Sequence, residues 1–176
     1  MTAAATSGID QADFRAVLGG FCSGVTAVTT IGPDGPAGMT CQAFLSLSLD
    51  PPLVAFAPSL RSGTYARIRA SGVFCVNILA ADQQWLSDRF ARAGADKFRE
   101  VSWRPGVTGS PVLDGVVASV DCRLEADHPA GDHRLMVGRV AALHRAQDRQ
   151  PLLFLDGRYT LPVRTGQLSD STLQAS

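Results

Sequence analysis

The residues with the clearest capacity for chemistry lie within residues 37–64, AGMTCQAFLSLSLDPPLVAFAPSLRSGT. Near the end of this stretch, the hydroxyls of Ser59, Ser62 and Thr64, the guanidinium of Arg61 and the amide of Gly63 gather at the start of a predicted helix. A helix N-terminus presents unpaired N–H groups and positive potential, and arginine adds charge-assisted hydrogen bonds. The pattern predicts a phosphate-binding segment, and a capped surface helix is the alternative that fits the same residues.

The first half of the stretch alternates in polarity. Its odd positions are all apolar, whereas most even positions, such as Thr40 and Gln42, are polar. A period of two predicts one strand over 38–48 with its odd face in a core. The even face would then look at water or at a polar planar ligand. Gly38, at the start, is either an ordinary hairpin glycine or a point where a ligand approaches the backbone closely. The odd residues are Met39, Cys41, Ala43, Leu45, Leu47 and Leu49.

Together, these two segments suggest a ligand with two different ends. The polar strand face and the helix start lie on either side of one short predicted strand, 53–57. A flat heteroaromatic head with a phosphate tail would fit this layout, and flavin mononucleotide (FMN) is such a ligand.

Composition limits the wider possibilities. The chain has 176 residues, 45% hydrophobic and 18% charged, with 16 Lys+Arg balanced by 16 Asp+Glu. This favours a single domain, 9–163, between flexible tails 1–8 and 164–176. No basic run suggests nucleic-acid binding, and the neutral surface permits subunit association. The absence of a signal peptide or a long apolar run predicts a cytoplasmic protein without a membrane anchor.

The cysteines and histidines give no metal motif. None of the four cysteines forms a CxxC pair, and their apolar surroundings predict buried free thiols. The three histidines match no zinc pattern, so no metal is expected.

The element pattern is mainly β. Three short helices are predicted: one capped by Asp10, one over 62–72 with Tyr65 and Ile68 on one side, and one capped by Asp82. The first carries the apolar stripe Phe14, Val17 and Leu18, and the third carries Trp85, Leu86 and Phe90. Strands are predicted at 24–31, 38–48, 53–57, 73–79, 115–127, 133–144 and 152–160. The strands at 115–127 and 133–144 should form a long hairpin closed at 129–132. This order predicts an antiparallel barrel with a few short helices outside.

Four residues outside the 37–64 stretch are further candidates. His133, in the hairpin turn GDH, could contact a cofactor or a nicotinamide, or could be an ordinary solvated histidine. Arg89, in DRF, could meet a phosphate or stay in water. Arg158 and Tyr159 could reach a nucleotide or simply anchor the end of a strand.

The ordered set FRAVLGGFCSGVTAVTT, GMTCQAFLSLSLDPPLV, SGVFCVNIL, DKF, GSPVLDG, GDH and LLFLDGRY resembles the flavin reductase family over about residues 10–162. These are short NAD(P)H:flavin oxidoreductases that feed two-component monooxygenases. The chain looks most like the reductases paired with aromatic-ring or steroid-degradation hydroxylases. The resemblance implies a split antiparallel β-barrel of the FMN-binding type that binds FMN or FAD, usually as a homodimer.

The resemblance also implies site residues. His133 matches the nicotinamide position, and Arg158 and Tyr159 match a region that closes over the cofactor. Many relatives have serine in place of Ala43, and many have lysine in the loop around Arg61. The implied flavin-binding residues are Pro36, Gly38, Met39, Thr40, Gln42, Ala43, Ala57, Pro58, Ser59, Arg61, Ser62, Gly63, Arg89 and Phe90.

The reaction that the resemblance implies is hydride transfer from NADH or NADPH to flavin, with reduced flavin passing to a separate oxygenase. This step requires no acid–base pair, so no catalytic side chain is assigned; backbone N–H groups between Gly38 and Ala43 could stabilise anionic reduced flavin. Two alternatives remain. One is a flavin- or haem-binding split barrel without turnover, and the other is an enzyme like pyridoxamine-phosphate oxidase.

Overall fold

Strands dominate the computed structural model, which describes residues 8–94 and 96–163. The α-helices of this part are α1 (Gln11–Gly19), α2 (Gly63–Ser71) and α3 (Gln84–Ala91), and a 3-10 turn, Ala81–Gln83, leads into α3. The strands are β1 (Ser23–Gly24), β2 (Thr26–Gly32), β3 (Gly35–Cys41), β4 (Phe44–Leu49), β5 (Pro52–Phe56), β6 (Val73–Ile78), β7 (Trp103–Pro105), β8 (Pro111–Leu113), β9 (Ala118–Ala130), β10 (His133–Arg145), β11 (Leu153–Leu155) and β12 (Arg158–Thr160). Apart from Gly8, the predicted tails lie outside the described residues.

Seven strands form one antiparallel sheet in the order β3-β2-β6-β9-β10-β5-β4. Val28 and Met39, near one end of the sheet, share a core cluster with Phe56 and Met136 from the other end. The sheet must therefore curl around this core, yet β3 and β4 remain separate edges in the described part of the chain. The predicted mainly β, split-barrel class is confirmed. None of the described helices is long and apolar enough to cross a membrane.

The long hairpin is confirmed. β9 and β10 pair from Ala118 with Arg145 to Ala130 with His133, and the chain reverses through Gly131 and Asp132. The register shifts twice along this ladder, which bends the hairpin. It therefore reaches from the central core to an exposed tip, and the tip carries His133.

Two of the three helix predictions hold in detail. The Asp10 carboxylate accepts a hydrogen bond from the Ala12 N–H at 2.6 Å and caps α1. The Ser62 hydroxyl caps α2, which buries Tyr65 and Ile68 as predicted. The predicted cap of α3 is wrong, because Asp82 lies inside the preceding 3-10 turn and faces an arginine instead.

The predicted single strand over 38–48 is also wrong. β3 ends at Cys41 and β4 begins at Phe44, and the chain bends between them. Met39 and Cys41 are buried as expected, but beyond the bend Phe44 packs against the core. On the edge strand β4, Phe44 and Ser48 are half-buried, whereas the odd side chains are exposed: Leu45, Leu47 and Leu49.

Two smaller expectations fail. Cys22 is exposed, although Cys41, Cys75 and Cys122 are buried free thiols as predicted. The predicted strand 152–160 is divided into β11 and β12 by a turn. The apolar stripe of α1 forms as predicted and lies in solvent, since no residue of that helix is buried.

We predict that Gly138→Ala destabilises the fold. A Cβ at Gly138 would collide with the ring of Phe74, which is fully buried in the core. Overpacking of this kind costs about 1–3 kcal/mol. The measurement is the free energy of unfolding in urea. Gly24→Ala is the matched control, because a Cβ at Gly24 meets nothing within 4 Å. Equal stability of the two variants would contradict the prediction.

Candidate functional site

One large cleft, of about 1110 Å³, lies beside the edge strand β3. Its walls are β3, the loop after β5, the N-terminus of α2, the segment after α3 and the tip of the β9–β10 hairpin. These elements come from distant parts of the chain, so the cleft forms only once the sheet has curled. Its size is that of a typical small-molecule site.

The side of the cleft formed by β3 and α3 depends on a contact between Gly38 and Phe90. The buried Phe90 ring lies so close to Gly38 that a Cβ at this glycine would collide with it. The Phe98 ring packs edge-on to Phe90, with the ring centroids 5.2 Å apart. Gly38 is therefore needed for helix packing, a reason that the sequence analysis did not foresee.

The even face of β3 was predicted to look at water or a ligand. The Thr40 hydroxyl instead donates to the carbonyl of Ser87 in α3 at 2.6 Å. Beyond the end of β3, Gln42 and Ala43 are exposed and line the cleft. The strand thus uses part of its polar face to hold α3, and it leaves the turn after Cys41 open to a ligand.

The predicted phosphate segment lies at one end of the cleft. The first N–H groups of α2, at Gly63 and Thr64, have no intrahelical acceptor. The Thr64 hydroxyl is already committed, because it donates to the Gly38 carbonyl at 2.9 Å. Ser59, Arg61 and Ser62 line the cleft beside this helix end. The arrangement suits an anion, as helix N-termini generally do.

The charges around the cleft favour an anion as well. Four cations line it, against the two carboxylates Asp34 and Asp96. None of the four cations has a carboxylate partner within 4 Å among the described residues. In a chain without net charge, this is a local positive surplus. The cations are Arg61, Arg67, Arg92 and Lys97.

Lys97 is a cleft residue that the sequence analysis missed. Its Nζ donates to the carbonyls of Gly38 at 3.0 Å and Phe90 at 2.9 Å. Burial lowers the pKa of this amine. Lys97 is also the only lysine in the chain. The signal available in the sequence was that this single lysine lies in the motif DKF. Asp34, Arg67 and Arg92 were also missed, because nothing in their local sequence marks them.

His133 lies on the rim of the cleft near the phosphate end. Its Nδ1 lies 2.7 Å from a carboxylate oxygen of Asp132, and the ring is half-exposed. Backbone hydrogen bonds attach the hairpin tip to the loop after β5. The Leu60 N–H donates to the Asp132 carbonyl at 3.1 Å, and the Arg134 N–H donates to the Pro58 carbonyl at 2.9 Å. The predicted nicotinamide and phosphate positions are therefore neighbours.

Thirteen of the fourteen predicted flavin-binding residues line this cleft, as does His133. Arg89 does not: its guanidinium donates to the Arg99 carbonyl and lies over the Trp85 ring. Arg158 and Tyr159 also lie elsewhere, since the Tyr159 hydroxyl contacts Ser87 and Asp88 on α3. The thirteen are Pro36, Gly38, Met39, Thr40, Gln42, Ala43, Ala57, Pro58, Ser59, Arg61, Ser62, Gly63 and Phe90.

The donor set of the cleft fits a phosphate-bearing planar ligand. It offers free helix N–H groups, hydroxyls, cations without carboxylate partners and the exposed turn 42–43. Among residues 8–94 and 96–163, no group of three or more His, Cys, Asp and Glu side chains is placed to hold a metal ion.

Comparison with known proteins agrees with this geometry. Residues 18–161 match the family described as "Flavin reductase like domain". A relative from Rhodococcus jostii, "Flavin-dependent monooxygenase, reductase subunit HsaB", is 48% identical over 158 residues, which are 90% of this chain and 81% of that protein.

Solved structures show the same similarity. Nitrilotriacetate monooxygenase component B from Mycobacterium thermoresistibile superposes with a TM-score of 0.83 at 44% identity, over 94% of this chain and 97% of that chain. Streptomyces globisporus NADH:FAD oxidoreductase SgcE6, in complex with NAD and FAD fragments, gives 0.84 at 34% identity, over 89% and 94%. Both the family match and these relatives span most of the sequence, and the chain therefore belongs to the flavin reductase like domain family.

Proposed function

We propose that this chain oxidises NADH and reduces a flavin in the cleft, supplying reduced flavin to a separate oxygenase. The observation that carries the proposal is a cleft, in this family's fold, that combines a surplus of cations without carboxylate partners with a helix N-terminus. NADPH is the alternative donor, and both FMN and FAD carry the phosphate that the site would bind. Relatives named as reductase subunits of monooxygenases support the role of the oxygenase partner.

The chemistry is a two-electron transfer: NADH donates a hydride to oxidised flavin, and NAD⁺ and reduced flavin are the products. The residues of this chain bind the flavin and the nicotinamide nucleotide and orient them for this transfer. Arg61, Lys97 and the first N–H groups of α2 would hold the flavin phosphate. The exposed turn at Gln42 and Ala43 would border the ring. His133, on the rim, would contact the nicotinamide nucleotide.

The proposal also includes a homodimer. The exposed side of α1 carries Phe14, Val17 and Leu18, and Phe21 beyond the helix is 80% exposed. A second apolar surface lies on the edge strand β4, where Leu49 is 90% exposed. Apolar surface on an uncharged protein is typical of subunit contacts. We further propose that 9–163 is the folding unit and that the protein is cytoplasmic, as the sequence predicts.

The decisive experiment is NADH oxidation by the purified protein, followed by absorbance, with FMN, FAD or no flavin added. We expect turnover that depends on added flavin, and the flavin giving the higher kcat/KM is the preferred substrate. Flavin binding without turnover, with NADPH also tried, would instead support a non-catalytic flavin-binding protein. Oxidation of pyridoxamine phosphate would support the other enzyme class.

The phosphate site can be tested with Arg61→Gln. The Arg61 side chain is exposed and has no carboxylate partner among the described residues, so its loss should not disturb folding. Loss of one charge-assisted hydrogen bond should weaken FMN binding about tenfold, whereas riboflavin, which lacks the phosphate, should bind unchanged. Flavin fluorescence measures both dissociation constants. Arg123→Gln, an exposed arginine on β9 away from the cleft, is the control. Equal losses for both ligands would contradict the assignment.

His133→Ala tests the nicotinamide position. Because His133 lies on the rim and not at the helix N-terminus, its loss should raise KM for NADH by about tenfold and change the FMN dissociation constant less than twofold. Steady-state kinetics and fluorescence titration give the two values. If both constants changed equally, His133 would not act on the nicotinamide.

A further inference from the structure

A partly buried ion cluster outside the cleft joins helix α2 to the β9–β10 hairpin. Its centre is Asp127 on β9, whose side chain is only 12% exposed. The Arg134 Nε donates to Asp127 Oδ1 at 2.6 Å, and the Arg134 Nη2 donates to the Asp127 carbonyl at 3.0 Å. From α2, the Tyr65 hydroxyl donates to Asp127 Oδ2 at 3.1 Å, and the Arg69 Nε lies 3.8 Å from the same oxygen.

The carboxylate of Asp127 is held in its charged form. Burial alone would raise the pKa of Asp127, but hydrogen bonds from Arg134 and Tyr65 and the charges of Arg134 and Arg69 keep it below its ordinary value. Removing Asp127 would leave the partly buried Arg134 guanidinium without its carboxylate partner.

The cluster is adjacent to two parts of the proposed site, His133 and the N-terminus of α2. Arg134 follows His133 directly in the chain, and its N–H also donates to Pro58, which lines the cleft. Tyr65 lies in the first turn of α2, three residues after the cap Ser62. The same carboxylate therefore restrains the residue beside His133 and the helix end that presents N–H groups to an anion.

The two elements differ in how much they need this restraint. α2 is also fixed by buried Ile68, by the Thr64 hydrogen bond to Gly38 and by Arg67, which donates to the Gly35 carbonyl at 2.6 Å. The hairpin tip, 128–132, is exposed and is otherwise held mainly by backbone hydrogen bonds to the loop after β5. Loss of Asp127 should therefore free the tip and leave α2 in place.

We propose that Asp127 is a positioning residue: through Arg134, it holds the hairpin tip and His133 over the cleft. This inference rests on the proposed function, since it assigns the tip to nicotinamide binding. It does not make Asp127 a ligand, because none of the cluster's four residues lines the cleft.

The test is Asp127→Asn, which keeps the shape of the side chain and removes its charge. We expect KM for NADH to rise about tenfold, with the FMN dissociation constant changed less than twofold. Glu125→Gln is the matched control. Glu125 is a carboxylate on the same strand whose Oε1 accepts from Arg139 at 2.7 Å, away from the tip, so the control should behave as the wild type.

A double variant separates positioning from general weakening of the fold. If Asp127 acts through His133, Asp127→Asn should raise KM much less in a His133→Ala background than in the wild type. If Asp127→Asn does not fold, as judged by circular dichroism, Arg134→Lys carries the test. That variant keeps the positive charge but loses the pair of guanidinium hydrogen bonds to Asp127. It should therefore raise KM for NADH as well.

The failures can be told apart. A wild-type protein that does not oxidise NADH with any flavin overturns the proposed function. An active wild type with an unchanged KM in both Asp127→Asn and Arg134→Lys overturns the positioning role alone, as do fully additive effects with His133→Ala.

Discussion

The absence of a side chain at Gly38 is the constraint on which the cleft depends. The Phe90 ring occupies the space that a Cβ would take, so α3 can lie directly on β3. The carbonyl of the same residue accepts from Thr64 in α2 and from Lys97 beyond α3. Three segments from different parts of the chain therefore meet at the Gly38 peptide unit. A larger residue at position 38 would part α3 from β3 and disturb both hydrogen bonds.

Some parts of this site could be predicted from the sequence, and others could not. The phosphate segment was predictable because Ser59, Arg61 and Ser62 are neighbours in the chain, and a serine cap is a local signal. His133 was predictable because the turn between two long strands must place it at a tip. The hydrogen bond between Lys97 and Gly38 was not predictable, because the two residues lie 59 positions apart in the sequence. A contact across that separation depends on how the sheet curls, which local patterns do not specify.

The alternation between Met39 and Leu49 shows a related limit. A period of two identifies strands, but it cannot show that a bend between Cys41 and Phe44 exchanges the inner and outer faces. Phe44 packs against the core with a larger side chain than that of Leu45, and the leucines of β4 remain exposed. Regularly spaced apolar residues on an edge strand can therefore belong to an exposed surface that a partner would cover, as well as to a core. The exposed stripe of α1 is consistent with the same reasoning.

The pairing of charges matters more to this site than their sum. The chain has equal numbers of acidic and basic residues, which by itself gives no indication of an anion site. Yet Arg134 and Arg139 are paired with carboxylates of the hairpin, whereas the cations around the cleft have no such partner in the described residues. Because an unpaired cation attracts a phosphate more strongly than a neutralised one, the cleft stays attractive to anions inside a neutral protein. The Asp127 carboxylate is instead bound by Arg134 and Tyr65, which do not line the cleft, so the cluster can fix geometry without competing for the ligand.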